Sequence, residues 1–229
     1  MLSLVIANKN YSSWSMRPWV LMSELGIPFE EILLKFESEA WRQNIERLSP
    51  SAMVPVLWEG VPGSGSATWE SVAIFERLAE LFPDRAIWPT DARARASARA
   101  VVAEMHASFR PMRTKMPMNI RAQHPGKGNT DDVRANIKRI EAMWRAARSQ
   151  FGAPSGEGDF LYGKFSAADA MFAPVVMRFA TYAPALDADS IAYCAAVKKA
   201  PGVAKWIAAA LTEKEWVADD EPYASAPAA

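Results

Sequence analysis

The sequence of 229 residues contains a single cysteine, Cys194, and two histidines. One thiol can neither close an intrachain disulfide nor build a Cys-rich metal site. His106 and His124 have no partner at metal-ligand or triad spacing, so both read as structural or solvated and no metal is expected. An excess of either charge is also lacking. Lys and Arg number 26 and so do Asp and Glu, which removes the basic field that nucleic-acid binding needs. No apolar run approaches the roughly 18 residues of a membrane span. The start, Met1–Ala7, has no basic flank and reads as a strand rather than a signal peptide. The expectation is a soluble, reduced, cytoplasmic protein. A net charge of zero does not oppose self-association.

What is present is a change of pattern part-way along the chain. Leu2–Ala7 is a short apolar run and predicts a buried strand. Asn8–Ser15 is polar and turn-like, and Pro18 suits the first turn of a helix that Gly26 and Pro28 end. Ile32–Phe36 predicts a second strand, and Ser38 caps a helix through Leu48. Val54–Trp58 and Ala67–Trp69 predict a hairpin around the loop Gly60–Ser66. Ser71–Phe82 is an amphipathic helix. The order β-α-β-α-β-β-α predicts a thioredoxin-like domain over residues 1–83. Residues 84–91 read as a linker. Residues 92–229 show only helical patterns and predict an all-α bundle. Its helices are expected over Ala92–Gln123, bent at Pro111 or Pro117, and over Thr130–Phe151. Others are expected from Ser166 to Tyr182, over Asp189–Lys199 and over Val203–Ala210. The end, Ala224–Ala229, is expected to fray.

Four local features, in order, carry a resemblance. They are Tyr11-Ser12-Ser13-Trp14-Ser15-Met16-Arg17, Met53-Val54-Pro55-Val56-Leu57, Trp69-Glu70-Ser71-Val72-Ala73-Ile74, and Phe165-Ser166-Ala167-Ala168-Asp169 with Pro174-Val175. Taken singly, each also fits a plain cap or turn. Together they resemble the glutathione transferases, and most of all the zeta class, which includes maleylacetoacetate isomerases.

The resemblance implies glutathione as co-substrate and a small-molecule electrophile as its partner. It implies that Ser12 or Ser13 donates a hydroxyl to the glutathione sulfur, the family pattern favouring Ser12. A thiol ordinarily ionises at about 8.5, and a donor at the sulfur favours the thiolate. The helix N-terminus acts in the same sense. Tyr11 is a third candidate, because other classes use Tyr. Val54 and Pro55 are implied to share a cis peptide and to align the cysteinyl part of glutathione. Glu70 would take the γ-glutamyl ammonium and Ser71 its carboxylate. Arg42 and Gln43 are both open as partners of the glycine carboxylate. A homodimer is implied as well.

Two departures qualify it. Trp14 stands where the zeta class has Cys, so thiol–disulfide exchange is not expected, and Cys194 reads as a buried inert thiol. Thr181 stands where zeta isomerases hold a substrate carboxylate with Arg, and Arg178 lies one turn earlier. Met105, Phe109, Met112 and Met116 recur at helical spacing and could line an adaptable co-substrate pocket. Arg110 and Arg113 beside them could take an acidic co-substrate. Glutathione transfer is the leading expectation, with isomerisation second and a non-catalytic binding protein of the same fold as the rival.

Overall fold

A computed structural model describes residues 1–224. The expected fraying concerns an end that lies, beyond Ala224, outside the described residues. Four strands form one mixed sheet: β1 (Leu2–Ile6), β2 (Glu30–Leu33), β3 (Val56–Glu59) and β4 (Ser66–Trp69). The order is β2-β1-β3-β4, with β1 and β2 parallel and the other pairs antiparallel. A strand covered on both faces is apolar along most of its length. Leu4 and Ile6 enter the main core, while Val5 enters a smaller one with Leu34, Ile45, Leu48, Val56 and Trp58. Helix α2 (Glu39–Leu48) covers the smaller core, and α1 (Ser13–Glu24) and α3 (Ser71–Leu81) cover the other face. This is the expected thioredoxin-like half.

The second half is helical: α4 (Ala92–Ala107), α5 (Arg110–Lys115), α6 (Asp131–Ala147), a π turn (Arg148–Gly152), α7 (Ala153–Ser155), α8 (Ala167–Tyr182), α9 (Ala188–Lys199) and α10 (Pro201–Thr212). Helix α8 is its axis and is buried almost throughout. Its start is the expected capping box. Asp169 accepts from Ser166 N at 2.9 Å, Leu161 N at 3.0 Å and the Tyr193 hydroxyl at 3.0 Å. The main core runs without interruption from the sheet through α1 into α4, α6 and α8.

Three expectations about boundaries are corrected. Helix α1 begins at Ser13, with Ser12 as its N-cap, so Pro18 lies inside the helix. Proline has no N–H for the carbonyl four residues earlier. That carbonyl belongs to Trp14, and the Ser71 hydroxyl donates to it at 3.4 Å. The predicted single helix over Ala92–Gln123 is two short ones. The break falls at Ser108–Phe109, where Phe109 adopts φ +67°, and Met116, preceding Pro117, closes α5. The long helix predicted to Phe151 leaves α geometry after Ala147, and the loop predicted from Gly152 opens with the short α7.

The segment after α10 returns across the thioredoxin-like half. The Glu213 carboxylate accepts from Lys9 N at 2.8 Å and Asn10 N at 3.0 Å. Tyr11 donates to Glu221 at 2.6 Å, and Arg121 donates to Tyr11 at 2.8 Å and to the Glu215 carbonyl at 2.7 Å. A 3₁₀ turn, Ala218–Asp220, ends this strap.

Two stability outcomes follow. Asp169→Ala leaves two backbone N–H groups and a tyrosine hydroxyl buried without an acceptor, and should cost about 3 kcal/mol or more in urea unfolding. Asp220 is largely withdrawn from water, which pushes its carboxyl up to about 6 against the pull of Arg178. A carboxyl raised on folding lends stability that is complete below its unfolded value and lost as pH rises through about 6. Asp220→Asn should therefore match the parent in urea midpoint near pH 4 and exceed it above about pH 7. A lower midpoint above pH 7 would mean that attraction to Arg178 outweighs burial.

Candidate functional site

The loop between β1 and α1 is buried and fixed at both ends. The Asn8 carbonyl accepts from Tyr11 N and Ser12 N, and the Asn8 side chain accepts from Phe36 N at 2.8 Å. The Asn10 side chain donates to Asn119 at 2.9 Å and accepts from Arg121 N at 2.9 Å. Trp206 donates to the Lys9 carbonyl at 2.9 Å. Both halves of the chain thus hold this loop, and α1 starts from it.

Two adjoining cavities open at the start of α1. The larger, about 410 Å³, is lined by Tyr11, Ser12, Ser13, Trp14, Phe36, Trp41, Met53, Val54, Arg113, Arg178 and Asp220. The smaller, about 270 Å³, is lined by Trp14, Ser51, Met53, Val54, Pro55, Glu70, Ser71 and His106. Trp14, Met53 and Val54 form the wall they share. The Val54–Pro55 peptide is cis, as the resemblance implied. A larger apolar hollow against Phe29 and Phe82, and another around Trp88 and Tyr162, lie away from these residues.

The hydroxyls at the helix start differ in their partners. Ser12 donates to Ser15 Oγ at 2.7 Å, and Ser15 accepts from Ala7 N at 3.1 Å. The Ser13 Oγ accepts from Arg178 Nη2 at 3.3 Å and is not a donor to any described residue. Tyr11 donates to Glu221, and burial with that carboxylate pushes its hydroxyl up to about 12. Ser71 is fully buried at the N-terminus of α3. Glu70 precedes it with φ +68°, and one of its oxygens lies 3.7 Å from His106 Nε2. Burial lowers the His106 pKa, with Glu70 opposing and Arg17 and Arg113 adding to the effect.

Arginines dominate the charge. Arg17 has no exposed surface, and its Nε donates to the Met171 carbonyl at 3.2 Å. Its guanidinium lies 4.0 Å from the centre of the Trp14 ring, and that of Arg113 lies 4.7 Å from it. Arg178 donates to the carbonyls of Met116 at 2.8 Å and Pro174 at 3.2 Å as well as to Ser13. Burial pushes Arg113 and Arg178 down to about 10, and it also lowers Arg17, with the charges of Arg113 and Arg178 adding to that shift. A guanidinium keeps its charge at neutral pH in such settings.

Of the residues expected at a site, Ser12, Ser13, Val54, Pro55, Glu70, Ser71 and Arg178 line the two cavities. Arg42 and Gln43 do not. Arg42 is exposed and donates to the Glu37 carbonyl, and Gln43 donates to Glu39. Met112 is buried in the core, with Met105 and Met116. Cys194 is buried far along the chain, and burial pushes its thiol up to about 12. Asp220 was not anticipated. The aromatic and acidic residues from Trp216 to Tyr223, set in an Ala/Pro-rich stretch, were the available signal. Among the described residues, no group of three potential metal ligands occurs and no helix is long and apolar enough to cross a membrane.

Residues 11–81 match the N-terminal domain of glutathione S-transferase, and residues 90–209 match its C-terminal domain. Solved structures share the fold. A glutathione transferase homolog from Burkholderia gl BGR1, with bound glutathione, is 21% identical with a TM-score of 0.65, over 91% of this chain and 97% of that one. Glutathione transferase Omega 1C from Trametes versicolor is 17% identical with a TM-score of 0.66, over 90% of each chain. The nitrogen regulation fragment of the yeast prion protein Ure2p is 20% identical with a TM-score of 0.66, over 90% of this chain and 96% of that one. No curated protein matches the chain in sequence. With both domain models matched in order and across most of its length, the chain belongs to the glutathione S-transferase family.

Proposed function

We propose that the protein is a glutathione transferase in which Ser13 holds the glutathione sulfur as thiolate. The observation that carries this reading is the asymmetry of the two serines. The Ser12 proton is spent on Ser15. The Ser13 oxygen accepts from a buried guanidinium, so its own proton remains to be given to a ligand. A cation behind a hydroxyl strengthens it as a donor. Ser13 is also the first residue of α1, where the helix N-terminus favours a negative charge.

In this reading the thiol proton leaves to solvent and the sulfur keeps the electron pair. The thiolate then attacks an electrophilic carbon, the C–S bond forms, and the leaving group departs with its electrons. The protein lowers the thiol pKa and holds the reactants together. Glutathione would occupy the smaller cavity with its γ-glutamyl end at Glu70 and Ser71 and its cysteinyl part along Val54. The exposed positions of Arg42 and Gln43 argue against a role for either at the glycine carboxylate. A zeta-type isomerase, in which the sulfur adds to a conjugated double bond and then leaves, is the second reading. The position of Arg178 beside Ser13 favours it, and isomerisation of a maleyl compound with glutathione would identify it. Association into a homodimer belongs to the same proposal.

The serine assignment is tested by two single variants assayed with a neutral aryl chloride and glutathione. Ser13→Ala should lower kcat/KM by about 100-fold or more, as loss of one donor at a developing anion does. Ser12→Ala should lower it far less, through a weakened N-cap. The reverse order would return the role to Ser12, and no effect of either would remove it from both.

A further inference from the structure

Around Trp14 three guanidinium groups meet with no carboxylate at ion-pair distance among the described residues. Arg17 has two buried terminal nitrogens without a hydrogen-bond partner, and Arg113 has one, Nη1. A buried charge without a partner is costly, and buried donors are nearly always satisfied. The arrangement leaves these donors to water or a ligand. Its surplus is positive, because Asp220 is the only acidic residue lining the larger cavity.

Arg113 is fixed in a particular way. Its Nε donates to the Ser108 carbonyl at 3.0 Å, and its Nη2 donates to the Met105 carbonyl, both at the C-terminal end of α4. Those bonds hold the guanidinium plane against the Trp14 ring and leave Nη1 as its unused edge. Arg178 is placed differently, since its Nε, Nη1 and Nη2 each have a protein partner. It adds charge, and each of its terminal nitrogens keeps one N–H beyond these partners, whereas Arg113 Nη1 keeps both. Arg17 sits behind Trp14 and adds charge only. The cavity is otherwise lined by flat or apolar side chains, among them Trp14, Phe36, Trp41 and Met53. Its volume of about 410 Å³ suits a small ligand beside glutathione.

We propose that this cavity selects a planar, apolar co-substrate that ends in a carboxylate, with Arg113 Nη1 holding the carboxylate and the aromatic walls holding the body. That the bound acid is an electrophile rests on the glutathione-transfer reading, whereas its binding does not. The carboxylates of glutathione are the other possible source of the anion.

The test compares 4-chloro-3-nitrobenzoate with its methyl ester, which differ in the charge of one group. In both, the glutathione sulfur bonds to the ring carbon and chloride leaves with the electron pair. Each kcat/KM is divided by the uncatalysed rate with glutathione. The acid should be preferred over the ester by about tenfold or more, and Arg113→Met should abolish that preference while Arg113→Lys retains part of it. Equal treatment of acid and ester by the parent protein overturns the proposal. So does a preference that Arg113→Met leaves unchanged while glutathione binding weakens, because Arg113 would then serve glutathione. If Arg113→Met fails to fold, the parent's acid-to-ester ratio decides alone. If neither compound is turned over, calorimetric titration of each into the parent decides. Binding of the acid about tenfold tighter than the ester upholds the site and removes the transfer reading, and equal or absent binding overturns the site.

Discussion

The site depends on one buried charge at the seam between the two halves of the chain. Arg17 lies on α1 with no surface in contact with water, and its one protein hydrogen bond reaches the Met171 carbonyl of α8. Withdrawing a guanidinium from water costs several kcal/mol even after the surroundings relax. The Met171 carbonyl and the face of Trp14 offset part of that cost, the ring contributing about 1–2 kcal/mol when desolvated. Both partners are fixed by tertiary structure, one on each side of the seam. Arg17 therefore ties the start of α1 to α8 and also fixes the indole that divides the two cavities.

The same few residues link the remaining parts of the site. Pro18 leaves the Trp14 carbonyl without its helical donor, and Ser71, from the start of α3, takes that place. The N-termini of α1 and α3 are thereby joined through one carbonyl, with Glu70 and Ser71 on one side of Trp14 and Ser13 on the other. Arg113, on α5, completes the arrangement by reaching back to the carbonyls at the end of α4, where a helix terminus holds a cation well. The strap after α10 brings Asp220 to the larger cavity and at the same time engages the Tyr11 hydroxyl through Glu221.

The parts of this architecture legible in sequence are those governed by local rules. Strand β1 was visible because both its faces are buried and all its residues but Ser3 are apolar. Helix α8 was visible through its capping box, and the Val54–Pro55 turn through the motif around it. Arg113 could be named because it sits beside a methionine stripe, although that stripe proves to be core. What escaped is decided by long-range contacts. Pro18 read as a helix start because proline is easiest there, and only the folded chain supplies Ser71 to its orphaned carbonyl. The division of labour between Ser12 and Ser13 depends on Ser15 and Arg178, the latter 165 residues away. Asp220 depends on a strap whose bonds reach back to Lys9, Asn10 and Tyr11, more than two hundred residues earlier.

The proposed function rests on this positive pocket storing glutathione as thiolate. Its most direct test is the pH dependence of thiolate absorbance for glutathione bound to the parent protein. The account predicts a bound thiol that ionises well below the ordinary value of about 8.5. Glutathione that binds with an unshifted thiol, or does not bind, would contradict it and leave the chain as a non-catalytic member of its family.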